Sequence, residues 1–144
     1  MLEGRGQKVM VVDNDRTVLE LLQIRLEVVG YHAQIQRTGG QALDLLKHTR
    51  PAAMILDAGL TDTDAFELLH TIRHRHDDQN FPILMTGRGL TVDDVRRALG
   101  YGAQNCMVKP YSGSEAVERI GRLIEAAHRG SQHSIELSRP QAVA

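Results

Sequence analysis

Short apolar runs alternate along the chain with segments whose apolar residues recur every three or four positions. Val9-Met10-Val11-Val12 runs unbroken into Asp13, the pattern of a strand buried on both faces. Leu19, Leu22, Leu26 and Val29 then mark one side of a helix, with Glu20, Gln23, Arg25 and Glu27 on the other and Gly30 as its stop. Ala33 and Ile35 alternate with Gln34 and Gln36 in a weaker second strand. Thr38 and Gln41 have capping-box spacing and open a helix to about His48, closed by Arg50-Pro51. Ala53-Met54-Ile55-Leu56 ends on Asp57; Asp64 and Glu67 then start a helix with Phe66, Leu69 and Ile72 inward, dissolving into His74 to Asn80. Pro82-Ile83-Leu84-Met85 ends at Thr86, and Thr91 caps a helix with Val92, Val95 and Leu99 inward, stopped by Gly100 and Gly102. Cys106-Met107-Val108 ends at Lys109-Pro110, and Ser112 with Glu115 leads a last helix carrying Val117, Ile120, Leu123 and Ala127 on its apolar face. From Arg129 the periodicity stops, which reads as a tail. Five βα units in series predict an α/β fold with a parallel sheet.

Composition narrows the function. A chain of 144 residues suits one globular domain, and seventeen Lys and Arg against eighteen Asp and Glu leave a net charge of −1 with no basic excess. Aromatic residues are 3%, so stacking platforms are scarce, and no nucleic-acid partner is expected. Apolar stretches of about five residues fall far below the ~20 that span a bilayer, so neither a membrane anchor nor a signal peptide is expected. Cys106 is the single cysteine, which excludes an internal disulfide and fits a reducing, cytoplasmic address.

In doubly wound sheets, functional groups gather beyond the carboxyl ends of the strands. Here those ends carry Asp13 with Asp15, Asp57, Thr86 and Lys109. Singly, each has an ordinary explanation: Asp15 a helix cap, Thr86 a loop hydroxyl, Lys109 an exposed charge. Together, carboxylates, a hydroxyl and an ammonium suit a hard cation and a phosphoryl group. In order, Val-Val-Asp13-Asn-Asp15, Ile-Leu-Asp57-Ala-Gly-Leu-Thr-Asp-Thr-Asp64, Ile-Leu-Met-Thr86-Gly and Gly102-Ala-Gln-Asn-Cys-Met-Val-Lys109-Pro110-Tyr111 strongly resemble the receiver domain of two-component response regulators, over roughly Gln7 to Arg129.

That resemblance implies a flavodoxin-like, five-stranded sheet in the order 2-1-3-4-5, with residues 8–129 as receiver, 1–7 as an extension and 130–144 as a tail. It implies Asp57 as phosphoacceptor, with Thr86 and Lys109 gripping the phosphoryl group. Mg²⁺ would be held by Asp13, Asn14, Asp57 and the carbonyl of Gly59, and the Lys109-Pro110 bond would be cis. The implied partners are a sensor histidine kinase or a histidine phosphotransfer protein and a downstream protein, with a homodimer open through the face around Asp93, Arg97 and Arg119. The length implies a stand-alone receiver without a DNA-binding module, and a phosphoacceptor with slow self-dephosphorylation rather than a turnover enzyme.

Departures from the family pattern leave alternatives open. Asn14 stands where a carboxylate is usual, which removes a charge from the metal's ligands; Asp15 either substitutes or caps the first helix. Cys106 stands where a switching Tyr or Phe is usual and reads as a small core residue. Thr61 and Ala65 replace a usual Pro and Gly. Asn14 and Cys106 together suit a degenerate receiver that binds partners without phosphorylation. Asp13-Asn-Asp15-Arg-Thr17 also fits the first motif of haloacid-dehalogenase-like phosphatases, with Asp13 as nucleophile, although no aspartate follows Asp94 to complete their metal site. His70, His74 and His76 read as a solvated helix end rather than a metal site, and Gly87-Arg-Gly89 lacks phosphate-loop spacing.

Overall fold

The computed structural model describes residues 4–75 and 80–138, with side chains in the last helix described as far as residue 130. His76, the first three residues and the last six lie outside the described residues. Five strands, β1 (Lys8–Val12), β2 (His32–Gln36), β3 (Ala53–Asp57), β4 (Ile83–Gly87) and β5 (Asn105–Val108), alternate with five helices. These are α1 (Arg16–Val28), α2 (Gly39–Leu46), α3 (Ala65–Arg75), α4 (Val92–Gly100) and α5 (Gly113–Ser138). All strand pairs are parallel, in the order β2-β1-β3-β4-β5, so the expected topology is the observed one.

The apolar runs are strands because both sheet faces are covered. Met10, Met54, Leu56, Ile83 and Met85 point to a cluster under α2, α3 and α4, whereas Val9, Val11, Ile55, Leu84 and Met107 point to a second under α1 and α5. Leu19, Leu22 and Leu26 of α1 are buried, each contributing about 1.5–3 kcal/mol. The Asp15 carboxylate caps α1 by accepting from the N–H groups of Thr17 and Val18. Gly30, at φ 96°, takes the left-handed turn out of that helix.

Three expectations need correction. In α4 only Ala98 is buried; Val92 and Leu99 are 67% and 47% exposed. The short helix is anchored through Ala98, helped by Arg97, whose guanidinium lies 4.4 Å from the Phe66 ring centre and 3.6 Å from Asp64. Ala127 is exposed as well, because the buried face of α5 ends at Leu123 and Ile124. Finally, α5 continues to Ser138 instead of giving way to a tail near Arg129. Gly130 alone, at a cost of about 1 kcal/mol, is too weak a breaker, and the first proline beyond it is Pro140. At the other end, residues 4–7 are tied down: the Gly4 and Gly6 N–H groups donate to the carbonyls of Val29 and Gly30.

Candidate functional site

The site continues one face of the sheet. Val9 and Val11 lead to Asp13, Ala53 and Ile55 to Asp57, Leu84 to Thr86, and Met107 to Lys109, each two residues apart and hence on the same side. The parallel register sets Asp57 beside Thr86 and Thr86 beside Met107. The four polar side chains therefore leave the face lined by α1 and α5 at one edge.

There they converge. The Lys109 ammonium donates to Asp13 Oδ2 at 2.7 Å and lies 3.0 Å from Asp57 Oδ1, with its side chain only 7% exposed. Thr86 Oγ1 donates to Asp57 Oδ1 at 3.3 Å. The Gly59 N–H donates to Asp57 Oδ2 at 3.1 Å, and the Asp15 N–H to Asp13 Oδ1 at 2.9 Å. Every carboxylate oxygen of the pair is thus satisfied, as burial demands. Gly59 has a second use, because a Cβ there would lie 3.0 Å from Asp57 Oδ2.

Two buried carboxylates share one ammonium, leaving a net negative charge. Burial raises the Asp13 carboxyl above its ordinary range and the charge of Asp57 adds to this, against the pull of Lys109 and the Asp15 N–H. Burial alone would lower Lys109, but its hydrogen bonds to Asp13 and Asp57 and their charges outweigh that, and it is raised. A cleft of about 390 Å³ opens beside the pair, lined among others by Asn14, Asp57, Gly59, Arg88, Asp94 and Lys109.

The expected metal residues present only oxygen: carboxylates from Asp13 and Asp57, an amide from Asn14, a carbonyl from Gly59. That donor set and the unbalanced negative charge fit Mg²⁺, which binds through one or two carboxylates and keeps several waters. Among the described residues no three His, Cys, Asp or Glu side chains converge at metal-binding spacing, so the amide, the carbonyl and water would have to complete the shell. Asp15 lines the same cleft, and its Oδ1 takes the capping role read for it, accepting from the N–H groups of Thr17 and Val18.

Other expected residues fall elsewhere. Cys106 pairs in register with Met85 and packs on the α2–α4 side, opposite the face that leads to Thr86. It is half-buried rather than a full core residue, and burial raises its thiol. The Lys109-Pro110 peptide is cis. His70 and His74 are exposed and stack on each other at 3.9 Å. Gly87 lets the loop after Asp57 approach closely, since a Cβ there would lie 3.2 Å from the Ala58 Cβ.

Two residues escaped the sequence reading. Asp62, in the loop after Asp57, accepts from the N–H groups of Gly39 and Gly40, both at 3.0 Å, tying that loop to the start of α2. Tyr111 carries a buried hydroxyl with no hydrogen-bond partner among the described residues. Neither has a local signature; only the proximity of loops in a parallel sheet would have suggested Asp62.

Known proteins resemble this chain in sequence and in fold. The family pattern described as the response regulator receiver domain matches residues 9–121. Response regulator MprA of Mycobacterium sp. (strain KMS) is 32% identical over 117 residues, which are 81% of this chain and 50% of that protein. The Mycobacterium avium (strain 104) protein of that name gives the same figures, so the chain spans about half the length of these curated relatives. Among solved structures, a CheY-like response regulator receiver domain protein from Methanospirillum hungatei JF-1 superposes with a TM-score of 0.80 at 21% identity, covering 86% of this chain and 98% of that one. The signal receiver domain of a histidine kinase from Syntrophus aciditrophicus gives 0.75 at 23%, covering 96% and 97%. These two likenesses show the fold; the sequence matches carry more. With its acidic pair, hydroxyl and lysine meeting at the strand ends, the chain belongs to the response regulator receiver domain family of two-component signalling.

Proposed function

We propose that Asp57 accepts a phosphoryl group from a phosphohistidine of a sensor kinase or phosphotransfer protein, or from a small acyl phosphate. The observation that carries this is a buried carboxylate, 4% exposed, that lines an open cleft while one of its oxygens is held by both Thr86 and Lys109. An Asp57 carboxylate oxygen forms the new P–O bond as the donor's P–N or P–O bond breaks, and the leaving imidazole or carboxylate takes up a proton or departs as an anion. Lys109 offsets charge on the transferring phosphoryl oxygens, and Thr86 donates to one of them. Mg²⁺, when held by Asp13, Asn14, Asp57 and Gly59, supplies further charge neutralisation. The Asn14 amide weakens that metal site relative to a carboxylate.

Output in this reading is a change of binding face: modified Asp57 biases one of two conformers, and a downstream protein or a second copy reads the difference. Slow self-dephosphorylation resets it. Incubation with a small acyl phosphate and Mg²⁺ should add one phosphoryl mass to the intact protein and none to Asp57→Asn. Lack of label from small donors and histidine kinases alike would overturn the proposal in favour of a phosphorylation-independent interaction module. Repeated turnover of phosphomonoesters that needs Asp13 and ignores Asp57 would instead favour the phosphatase reading.

A further inference from the structure

Tyr111 follows Lys109 and Pro110, and its ring packs with the cluster under α1 and α5, the face that leads to the site. Its hydroxyl is buried, yet among the described residues nothing accepts its proton or donates to it. Buried hydroxyls are rarely left so. Burial and the nearby charges of Asp13, Asp57 and Asp15 keep the phenol protonated far above its ordinary range, so it can act only as a neutral O–H. Thr86 leaves that same sheet face, two residues past Leu84 and in register with Met107, at the edge where the chain runs on through Lys109 and Pro110 to Tyr111. Thr86 in turn spends its single hydroxyl proton on Asp57 Oδ1 in a long contact of 3.3 Å, which leaves its oxygen free to accept.

Resting on the reading of Asp57 as phosphoacceptor, we propose that Tyr111 is a positioning residue for the phosphorylated state: as Thr86 turns its O–H to a phosphoryl oxygen on Asp57, its own oxygen accepts from Tyr111. The donor left unpaired at rest is then satisfied. An unsatisfied buried group destabilises the resting conformer, so its relief favours the conformer with Thr86 drawn in. Cys106 carries no ring and packs on the opposite sheet face, so the aromatic response to Thr86 comes from the other side of β5.

The test is a double-mutant cycle of Tyr111→Phe and Thr86→Val, read by affinity for beryllofluoride with Mg²⁺, by the lifetime of the phosphoryl group on Asp57, and by the melting temperature of the unmodified protein. Tyr111→Phe deletes the oxygen and keeps the ring. The expected result is an unchanged or raised melting temperature with mimic affinity lowered about threefold to tenfold, the range of one hydrogen bond. In the Thr86→Val background the same change should alter affinity less than about twofold. In the native protein the Tyr111 ring carbon bearing oxygen should shift in NMR when beryllofluoride binds, and should stay put in Thr86→Val. Equal affinities for native protein and Tyr111→Phe, with the native protein still labelled on Asp57, would overturn the role of Tyr111 alone. Equal losses in both Thr86 backgrounds, or a lowered melting temperature with no coupling, would reduce it to packing. A native protein that neither takes a phosphoryl group nor binds the mimic would overturn both this inference and the reading it rests on.

Discussion

Replacing Lys109 with methionine tests whether the site is an electrostatic balance. The ammonium is nearly buried and touches Asp13 at 2.7 Å and Asp57 at 3.0 Å. At an effective dielectric near 20, contacts of that length carry about 5 kcal/mol each before desolvation. Removing the cation spares its own burial but leaves two facing carboxylates, and breaking a buried pair in this way costs about 3–5 kcal/mol. For a domain of this size that is a fall of roughly 6–15 °C in melting temperature. The loss should depend on pH. Lys109 is raised, so the stability its protonation lends is complete below its ordinary value and is lost only as pH climbs through its folded value, in the alkaline range. Asp13 is also raised, so the stability lent by its protonation is complete below 3.8 and is lost as pH rises through its folded value. Without Lys109 that folded value climbs further, and acidification lets Asp13 take a proton and relieve the repulsion. Urea titrations of both proteins at about pH 7 and about pH 4.5 should therefore show a gap that narrows on acidification. A fall of less than about 2 °C at neutral pH, or a gap independent of pH, would refute the argument.

Other consequences follow from the same geometry. Asp57→Asn keeps the side-chain shape and removes one of two like charges, leaving Asp13 and Lys109 balanced, although its NH₂ replaces one acceptor oxygen and must face a donor; without Mg²⁺ the charge relief should outweigh that loss by about 1 kcal/mol in urea titration, and a net loss would contradict the charge count. Asp62→Ala should cost about 1 kcal/mol as a lost cap for α2. Because hydrogen bonds from Gly39 and Gly40 hold the Asp62 carboxyl below its ordinary range, that contribution is present above pH 3.8 and fades as pH falls through the lowered value, so acid titration of the difference checks it. Val92→Ser and Leu99→Ser should each change stability by less than about 0.5 kcal/mol in thermal melts, since both side chains are exposed, whereas an inward α4 face would lose far more.

How much of this could be read from the chain differs by element. The strands were legible because Val9–Val12, Ala53–Leu56 and Ile83–Met85 are buried on both sides and tolerate no polar interruption. The meeting of Asp13, Asp57, Thr86 and Lys109 follows from their equal distance past those runs, and counting by twos would also have put Cys106 on the opposite face. Helix α4 misled because periodic apolar residues need a neighbour to cover them, and α4 buries Ala98 alone. The end of α5 misled because loss of amphipathicity is not loss of helix when no strong breaker intervenes. Asp62 and Tyr111 act through loops and side chains distant in sequence or turned inward, and residue type alone does not report that.

Whether Asp57 takes the phosphoryl group is read by peptide-level mass spectrometry after treatment with a small acyl phosphate and Mg²⁺. A single phosphoryl group on the peptide containing Asp57, and none when the metal is chelated before the donor is added, is the predicted result. A phosphoryl group on Asp13 instead, or none on a folded protein supplied with Mg²⁺ and donor, would contradict it.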